Sequence, residues 1–239
     1  MPEVLSVQGL NSGYGRFQVL FDVDAEFKEK EITVIVGPNG SGKTTLLRSI
    51  FGITNIYTGL IRLDGQELTR LPPHVISRRG VAYLPQTENV FENLSVRENM
   101  MMASYTLGDD ETEDRLEETL QIFPVLKDYM KREAKSLSGG ERQMLAMGMA
   151  LVRRPTVMMF DEPTGALSPK LAEEVLMKIV GLRETLGITI VLVEQHARRA
   201  LEVGDKAYLM VSGRPIFDGQ PEELMGHEEL ARLYLGIKK

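Results

Sequence analysis

The chain has 239 residues, of which 43% are hydrophobic and 26% are charged, and its formal net charge is −6. This composition is typical of a globular protein with one sizeable core. The acidic balance argues against nucleic acid as a partner, because nucleic-acid-binding domains usually carry a basic face. The absence of cysteine excludes disulfides and thiolate metal sites. No apolar run approaches the roughly 18 residues of a membrane-spanning helix, and no signal peptide is evident, so we expect a cytoplasmic protein.

Segments with the composition of strands alternate with helical segments along the chain. Strands are predicted at 4–10, 19–27, 31–37, 80–86, 156–163, 188–195 and 206–219, and a hairpin at 59–68 is predicted to turn at Asp64-Gly65. Helices are predicted at 43–52, over most of 91–153, at 168–187 with Ser168 before Pro169, and at 221–236. This alternation indicates an α/β fold with a mainly parallel sheet, and the helical block in the middle indicates an inserted subdomain.

A phosphate-binding loop is predicted at GPNGSGKTT, residues 37–45, which matches G-x-x-x-x-G-K-[ST] between a predicted strand and a predicted helix. Its glycines let the backbone N–H groups turn towards phosphate oxygens, and the helix dipole adds positive potential. Lys43 is expected to reach the β- and γ-phosphates, and Thr44 to hold Mg²⁺. The predicted nucleotide-binding residues of this loop are Gly37, Pro38, Asn39, Gly40, Ser41, Gly42, Lys43, Thr44 and Thr45.

Such a loop needs a carboxylate on the metal side, supplied by a neighbouring strand. The segment VMMFDEP, residues 157–163, has an apolar run that ends in Asp161 and Glu162. Asp161 is predicted to meet Mg²⁺ directly or through water. Glu162 is predicted to be the general base that polarises the attacking water. The alternative interpretation is a solvated turn with two acidic residues.

A second candidate anion site lies in KSLSGGERQ, residues 135–143, where a serine and two glycines directly precede a helical run. The order of P-loop, Pro85-Gln86, LSGGERQ and MMFDEPT resembles that of the ABC-type ATPases over nearly the whole chain. The resemblance implies that two subunits pack head-to-tail, so that the signature LSGGE of each subunit caps the ATP of the other. The residues assigned to this role are Ser138, Gly139, Gly140 and Glu141. An intramolecular helix cap is the alternative.

The resemblance also implies the organisation of the chain and its cofactors. Residues 1–239 would form a single ABC ATPase domain of the P-loop NTPase class. About 1–86 and 154–239 would form the nucleotide-binding core with an N-terminal antiparallel β subdomain, and about 87–153 the α-helical signature subdomain. The implied cofactors are ATP and Mg²⁺.

Further site residues follow from the resemblance position by position. Tyr14 stands where the family has an aromatic side chain that stacks on adenine, and Gln86 matches a glutamine that meets Mg²⁺ and the attacking water. Ser168 replaces an aspartate that many members have at the end of the D-loop. After ITIVLV, where most members have a switch histidine, this chain has Glu194-Gln195-His196, so either Gln195 or His196 is the switch residue, and the alignment of the next helix favours Gln195.

The subgroup is indicated by the VEQ at the switch, the segment around Gln86 and the ending ARLYLG. Together these resemble the ATP-binding subunits of high-affinity branched-chain amino-acid importers, although relatives that extract lipopolysaccharide share parts of the pattern. The resemblance implies a second ABC ATPase subunit, identical or similar, together with membrane permease subunits and an extracytoplasmic solute-binding protein. It also implies a position at the inner face of the cell membrane. A soluble ABC ATPase acting on DNA or ribosomes is the other class of function, but the chain has neither a long coiled-coil insertion nor a second P-loop.

Overall fold

The computed structural model describes residues 3–87, 89–105 and 107–234, which form two β-sheets with helices around them. The strands are β1 (Glu3–Tyr14), β2 (Phe17–Lys28), β3 (Ile32–Val36), β4 (Asn55–Leu63), β5 (Gln66–Glu67), β6 (Val81–Leu84), β7 (Val157–Asp161), β8 (Thr189–Val193), β9 (Lys206–Val211) and β10 (Arg214–Gly219). The helices are α1 (Lys43–Ile50), α2 (Pro73–Arg78), α3 (Val96–Ser104), α4 (Asp109–Ile122), α5 (Val125–Tyr129), α6 (Gly139–Leu151), α7 (Pro169–Leu186), α8 (Ala197–Val203), α9 (Pro221–Gly226) and α10 (Glu228–Tyr234). Within the described ranges, no helix combines the length and the apolar character needed to cross a membrane.

The larger sheet has six strands in the order β10-β9-β3-β8-β7-β6. The neighbours from β9 to β6 are parallel, and β10 pairs antiparallel with β9 at one edge. β3, β7 and β8 are buried along their whole length, because each is a run of mainly apolar residues. Parallel strands covered on both faces have no solvent-facing side, which explains why these runs do not alternate with polar residues. The predicted α/β fold with a mainly parallel sheet is confirmed.

Side chains of this sheet alternate between two hydrophobic clusters, one on each face. Val34 and Phe160 point to the face that packs against α6 and α7. Ile35 and Met159 point to the opposite face, where they pack with α1 and the second sheet. The helix α1 is therefore held between two sheets, which fixes the loop that precedes it.

The second sheet has four antiparallel strands in the order β2-β1-β4-β5. It contains the two predicted N-terminal strands, both longer than the sequence pattern indicated. The predicted hairpin is confirmed, since β4 and β5 are joined by Asp64 and Gly65 with φ angles of 48° and 74°. Two consecutive left-handed residues suit the twist of a tight hairpin, and this explains the Asp-Gly pair.

Helices α3 to α6 lie between β6 and β7 in the chain, and the start of α3 is fixed by polar contacts. Ser95 Oγ accepts from the Glu98 backbone N–H at 3.2 Å, and Glu98 Oε2 accepts from the Ser95 N–H at 2.7 Å. This reciprocal capping box satisfies two N–H groups that the helix cannot pair. The buried Asn99 side chain bonds both the N–H and the carbonyl of Phe91, at 2.7 and 3.0 Å. The loop that enters this helical block is therefore tied to α3.

The prediction of one helix over 221–236 is wrong, because α9 and α10 are separate helices that break at His227. Gly226 weakens the helix at this point. His227 leaves the helical conformation, with φ of −81° and ψ of 89°. Its ring nitrogen Nδ1 accepts from the Leu230 N–H at 3.4 Å, in the first turn of α10. The last two residues of the predicted helix lie outside the described residues.

The turn between β9 and β10 supports the phosphate-binding loop. The Gly213 N–H donates to the Ser41 carbonyl at 2.9 Å, and the Gly213 carbonyl accepts from the Phe21 N–H at 3.0 Å. Gly213 has φ of +78°, and a Cβ there would lie 1.9 Å from the Val19 carbonyl oxygen. Gly213→Ala is therefore expected to lower the free energy of unfolding by more than about 1 kcal/mol, measured by chemical denaturation.

Gly181→Ala is the matched control for this substitution. Gly181 lies inside α7, and a Cβ added there meets no atom within 4 Å. Alanine is favoured over glycine inside a helix by about 0.5–1 kcal/mol, so this variant is expected to be at least as stable as wild type. Wild-type stability of Gly213→Ala would contradict the close approach of the turn to β2.

Candidate active site

The loop between β3 and α1 is shaped by three glycines. Gly37, Gly40 and Gly42 have φ angles of 146°, 75° and 100°. A Cβ on Gly37 would lie only 2.1 Å from the Met210 carbonyl oxygen. The loop therefore runs directly against β9, and a residue with a side chain would push it away.

The inside of this loop offers hydrogen-bond donors. Helix α1 begins at Lys43, and the first N–H groups of a helix have no partner within it. The Ser41 hydroxyl is buried and has no hydrogen-bond partner among the described residues. Because buried polar groups are normally paired, an unpaired hydroxyl beside free helical N–H groups fits a bound anion such as phosphate.

The Lys43 side chain is 4% exposed and folds back over the loop. Its Nζ donates to the carbonyl oxygens of Gly37 at 2.9 Å and Pro38 at 3.2 Å. Burial lowers the pKa of the Lys43 ammonium, whereas the negative charges of Glu162 and Asp161 act in the opposite direction. The lysine is thus fixed above the loop, with both predicted acidic residues close enough to influence it.

Two of the three residues predicted to meet the metal, Thr44 and Asp161, contact each other. Thr44 Oγ1 donates to Asp161 Oδ1 at 2.9 Å, and the Tyr83 hydroxyl donates to Asp161 Oδ2 at 2.9 Å. Burial and the charge of Asp161 raise the pKa of Tyr83, so its hydroxyl stays protonated and donates. The hydroxyl of Thr44 and the carboxylate of Asp161 are hard oxygen ligands, and this donor set fits Mg²⁺.

Glu162 lies in the turn directly after β7 and has a left-handed backbone, with φ of 49°. Such a conformation costs a non-glycine residue of order 1–3 kcal/mol and is often found at functional sites. The Glu162 N–H donates to the Val193 carbonyl at 2.9 Å, which holds the backbone against the end of β8. Its Oε2 accepts from Gln86 Nε2 at 3.0 Å. The predicted base and the predicted glutamine are therefore in direct contact.

Most of these groups line one open, polar cavity of about 440 Å³. The described residues that line it are Val19, Asn39, Gly40, Ser41, Gly42, Lys43, Thr44, Thr45, Gln86, Glu162 and Gln195. His196 is not among them and lies at the N-cap position of α8. Of the two candidates for the switch residue, the fold therefore brings Gln195 to the cavity of the P-loop.

Tyr14 is the last residue of β1 and is 40% exposed. It is not among the described residues that line the cavity, and its hydroxyl accepts from Arg48 Nη1 of α1 at 3.4 Å. The exposed ring thus lies beside α1, the helix that begins at the phosphate-binding loop.

The signature residues start α6 and do not line this cavity. Ser138 Oγ accepts from the Glu141 N–H at 3.3 Å, and Glu141 Oε2 accepts from the Ser138 N–H at 2.7 Å. The latter bond lowers the pKa of Glu141, which keeps the carboxylate charged. The intramolecular helix cap, which the sequence offered as the alternative, is therefore present in the structure. The Ser138 hydroxyl also bonds the Glu141 side chain, so the groups that the cap leaves without a partner inside the helix are the N–H groups of Gly139 and Gly140 in the first helical turn.

Three side chains of the site were not predicted to have a role. Tyr83 was part of a predicted strand, Arg48 part of a predicted helix, and Glu194 was named only as the neighbour of the switch residue. The one signal in the sequence was the charged Glu194 directly after an apolar strand, where a buried carboxyl group needs partners. The partners of Tyr83 and Arg48 come from distant segments and leave no local pattern.

A glycine-shaped P-loop after β3, together with a carboxylate from β7, from which β3 is separated by β8, defines a site for nucleoside triphosphate hydrolysis. The ABC transporter family model matches residues 20–165, which include the P-loop, the signature and Asp161. The chain belongs to the ABC transporter family, and it is an ATPase of the kind that drives transport.

Relatives with names of transport ATP-binding proteins match over almost the whole chain. A probable branched-chain amino acid transport ATP-binding protein of Archaeoglobus fulgidus is 54% identical over 95% of this chain and 97% of its own length. A high-affinity branched-chain amino acid transport ATP-binding protein of Pseudomonas aeruginosa is 36% identical over 98% of this chain and 100% of its own. A lipopolysaccharide export system ATP-binding protein of Escherichia coli K12 is 33% identical over 97% of both chains.

Solved structures confirm the fold class. A nucleotide-free ATP-binding cassette from an ABC transporter superposes with a TM-score of 0.88 at 23% identity and covers 100% of both chains. The cbiO1 protein of Clostridium perfringens, part of the ABC transporter complex cbiONQ, has a TM-score of 0.86 at 26% identity, and the match covers 97% of this chain and 94% of its own.

The two candidates for the switch residue can be separated by substitution. Gln195→Ala is expected to lower kcat about tenfold or more at saturating ATP. The switch residue would donate a hydrogen bond to the charged γ-phosphate, and a hydrogen bond to a charged group contributes about 1.5–3 kcal/mol. His196→Ala is expected to cause a smaller loss, since His196 does not line the cavity. Phosphate release measures both rates, and a larger loss in His196→Ala would assign the switch to the histidine.

Proposed function

We propose that this chain is the energy-coupling ATPase subunit of an ABC importer for branched-chain amino acids. The observation that carries the proposal is the 54% identity to the Archaeoglobus fulgidus protein of that transport class over 95% of the chain. The Pseudomonas aeruginosa protein, at 36%, supports the same substrate class. Lipopolysaccharide export proteins are less similar, at 31–33%, and favour that alternative less.

In this proposal the phosphates of ATP bind to the loop 37–45, with Lys43 beside them. Thr44 and Asp161 would hold Mg²⁺, whose charge would neutralise the phosphates and favour the transfer of the γ-phosphoryl group to water, with ADP as the leaving group. Gln86 bonds Glu162 through its amide nitrogen, and its amide oxygen, which accepts from none of the described residues, would act as a further ligand. No group of three or more His, Cys, Asp or Glu side chains suited to a metal occurs among the described residues, so the phosphates and water would supply the other ligands.

Glu162 is the general base of this site. Its carboxylate lines the same cavity as the P-loop and contacts Gln86, which would orient the attacking water with it. Gln195 lies at the same cavity and donates to the γ-phosphate without adding a charge. Tyr14 stacks on adenine beside α1.

A second subunit completes each site. We assign Ser138, Gly139, Gly140 and Glu141 to the ATP of the partner in a head-to-tail dimer, which contains two such composite sites by symmetry. The N–H groups of Gly139 and Gly140 at the start of α6 supply donors, and the Ser138 hydroxyl becomes a further donor by exchanging its bond to Glu141 for one to the phosphate. ATP closes the dimer and hydrolysis reopens it.

The remaining assignments concern the whole complex. The segment 87–153 acts as a signature subdomain that moves against the core formed by 1–86 and 154–239. The chain binds membrane permease subunits from the cytoplasmic side. The surface offered to them is an exposed apolar face of α3, where Met101, Met102 and the adjacent Tyr105 are exposed by 41%, 47% and 72%. A solute-binding protein on the other side of the membrane delivers the amino acid. The chain is thus peripheral at the inner face of the cell membrane.

Glu162→Gln tests the base and the dimer together. Loss of a general base typically lowers the rate by about 10²–10⁴-fold, so turnover is expected to fall by at least that lower factor. Because ATP then persists, light scattering is expected to detect an ATP-bound dimer at saturating ATP.

Glu174→Gln is the matched control, since Glu174 is an exposed residue of α7 and its substitution removes the same single negative charge. It is expected to turn over ATP like wild type. A monomeric Glu162→Gln variant with normal turnover would rule out the assigned base.

The transport proposal is tested in cells of the source organism. Deletion of this chain is expected to lower the uptake of labelled leucine, and the wild-type chain but not Glu162→Gln is expected to restore it. Purification of the tagged chain in mild detergent is expected to yield multi-span permease subunits and a second ATP-binding subunit. Unchanged leucine uptake, with the chain purifying alone or with a lipopolysaccharide export complex, would refute the substrate assignment.

A further inference from the structure

A buried carboxyl group lies between the two loops that carry Glu162 and Gln195. Glu194 directly follows β8 and is 1% exposed. Its Oε1 accepts from the backbone N–H of Thr164 at 3.1 Å and from the Thr164 hydroxyl at 2.8 Å. Burial raises the pKa of Glu194, and the bonds from Thr164 act against that rise. Because burying a carboxyl group is unfavourable, an apolar side chain would serve mere packing better.

The partner of Glu194 belongs to the turn that positions Glu162. In that turn the Gly165 N–H donates to the Glu162 carbonyl at 3.2 Å, and the Leu167 N–H donates to the Thr164 carbonyl at 3.0 Å. Glu162 itself has a left-handed backbone, which must be held by its surroundings. The two bonds from Thr164 to Glu194 tie this turn to the end of β8.

The backbone of Glu194 leads directly into the switch segment, which consists of Gln195 and His196. Its backbone N–H donates to the Ile35 carbonyl at 3.4 Å, so Glu194 still lies along the parallel sheet. Gln195 follows, and its carbonyl accepts from the Ala197 N–H at 3.0 Å at the start of α8. A single side chain therefore connects the loops of two residues, Glu162 and Gln195, that line one cavity.

We propose that Glu194 is a positioning residue for ATP hydrolysis, which locks the turn after Glu162 to the switch segment through Thr164. The lock keeps Glu162 and Gln195 in a fixed relation across the cavity. Glu194 does not contact the substrate and acts only through these two loops. The inference rests on the proposed roles of Glu162 and Gln195.

The test compares Glu194→Ala, Glu194→Gln and Thr164→Val in the full-length chain. Displacement of catalytic groups by about 1 Å lowers rates by up to about a hundredfold, so kcat is expected to fall about tenfold to a hundredfold in Glu194→Ala and Thr164→Val. The KM for ATP and the Kd of a fluorescent ATP analogue are expected to stay within about twofold, because neither group contacts the P-loop. Glu194→Gln keeps an oxygen that accepts both bonds, and it is expected to recover most of the lost kcat.

The coupling between the two residues is tested by the double variant Glu194→Ala/Thr164→Val. Its kcat is expected to equal that of the more impaired single variant, since both substitutions remove the same contact. Independent, multiplying losses in the double variant would show two unrelated effects and overturn the proposal.

Thr33→Val is the matched control for Thr164→Val. The Thr33 hydroxyl lies in β3, is fully buried and has no hydrogen-bond partner among the described residues. This control removes a buried hydroxyl of the same size beside the same sheet, and it is expected to keep the wild-type kcat. Circular dichroism establishes that each variant is folded, and Thr164→Val and Glu194→Gln decide the case if Glu194→Ala does not fold.

Three further results would overturn the proposal: wild-type kcat in folded Thr164→Val, an equal loss in Thr33→Val, or no recovery in Glu194→Gln. If Glu162→Gln loses turnover while Thr164→Val keeps the wild-type kcat, this inference fails and the proposed function stands. Full turnover in Glu162→Gln would contradict the assigned base, and the inference would fail with it.

Discussion

The parallel register of β3, β8 and β7 is the constraint on which the site depends. Ile35 lies opposite Val193 in one pair of strands, and Val193 lies opposite Asp161 in the next. The three strands therefore end together, and the P-loop, Glu162 and the switch segment leave the sheet at one edge, as is usual for ligand sites of such sheets. A slip of one residue would turn Asp161 to the other face and break its contacts with Thr44 and Tyr83. The apolar runs of these strands specify the register because both faces are buried.

Polar groups at this edge are hydrogen-bonded to one another, so a ligand that binds there has to replace some of these bonds. Lys43 bonds loop carbonyls, Asp161 bonds Thr44 and Tyr83, and Gln86 bonds Glu162. A phosphate or a metal ion that enters must exchange some of these bonds for its own. Because such exchanges have a small net free energy, the extra affinity must come from charge and from donors that have no protein partner, such as the Ser41 hydroxyl.

Local patterns predicted what local interactions determine. The P-loop glycines, the Asp161-Glu162 pair and the Asp64-Gly65 hairpin each depend on a few adjacent residues, and the strand and helix alternation followed from periodicity. The contacts of Tyr83 with Asp161 and of Glu194 with Thr164 join residues 78 and 30 positions apart, and no spacing rule relates them. The break at His227 was missed because it depends on a ring nitrogen that caps the next helix. The catalytic and binding roles of the individual residues stay predictions.

Contacts within one subunit already account for part of the signature, and this limits what the motif alone proves. A Cβ on Gly139 would lie 2.6 Å from Leu167 Cδ2, and one on Gly140 would lie 3.3 Å from Leu171 Cδ2. A Cβ at either position would have to displace the flexible end of a leucine side chain, so packing within one subunit favours small residues here without requiring glycine. The capping box likewise explains Ser138 and Glu141 without a partner. The cap does not use the first N–H groups of α6, and these are donors that a phosphate of a second subunit's ATP would need.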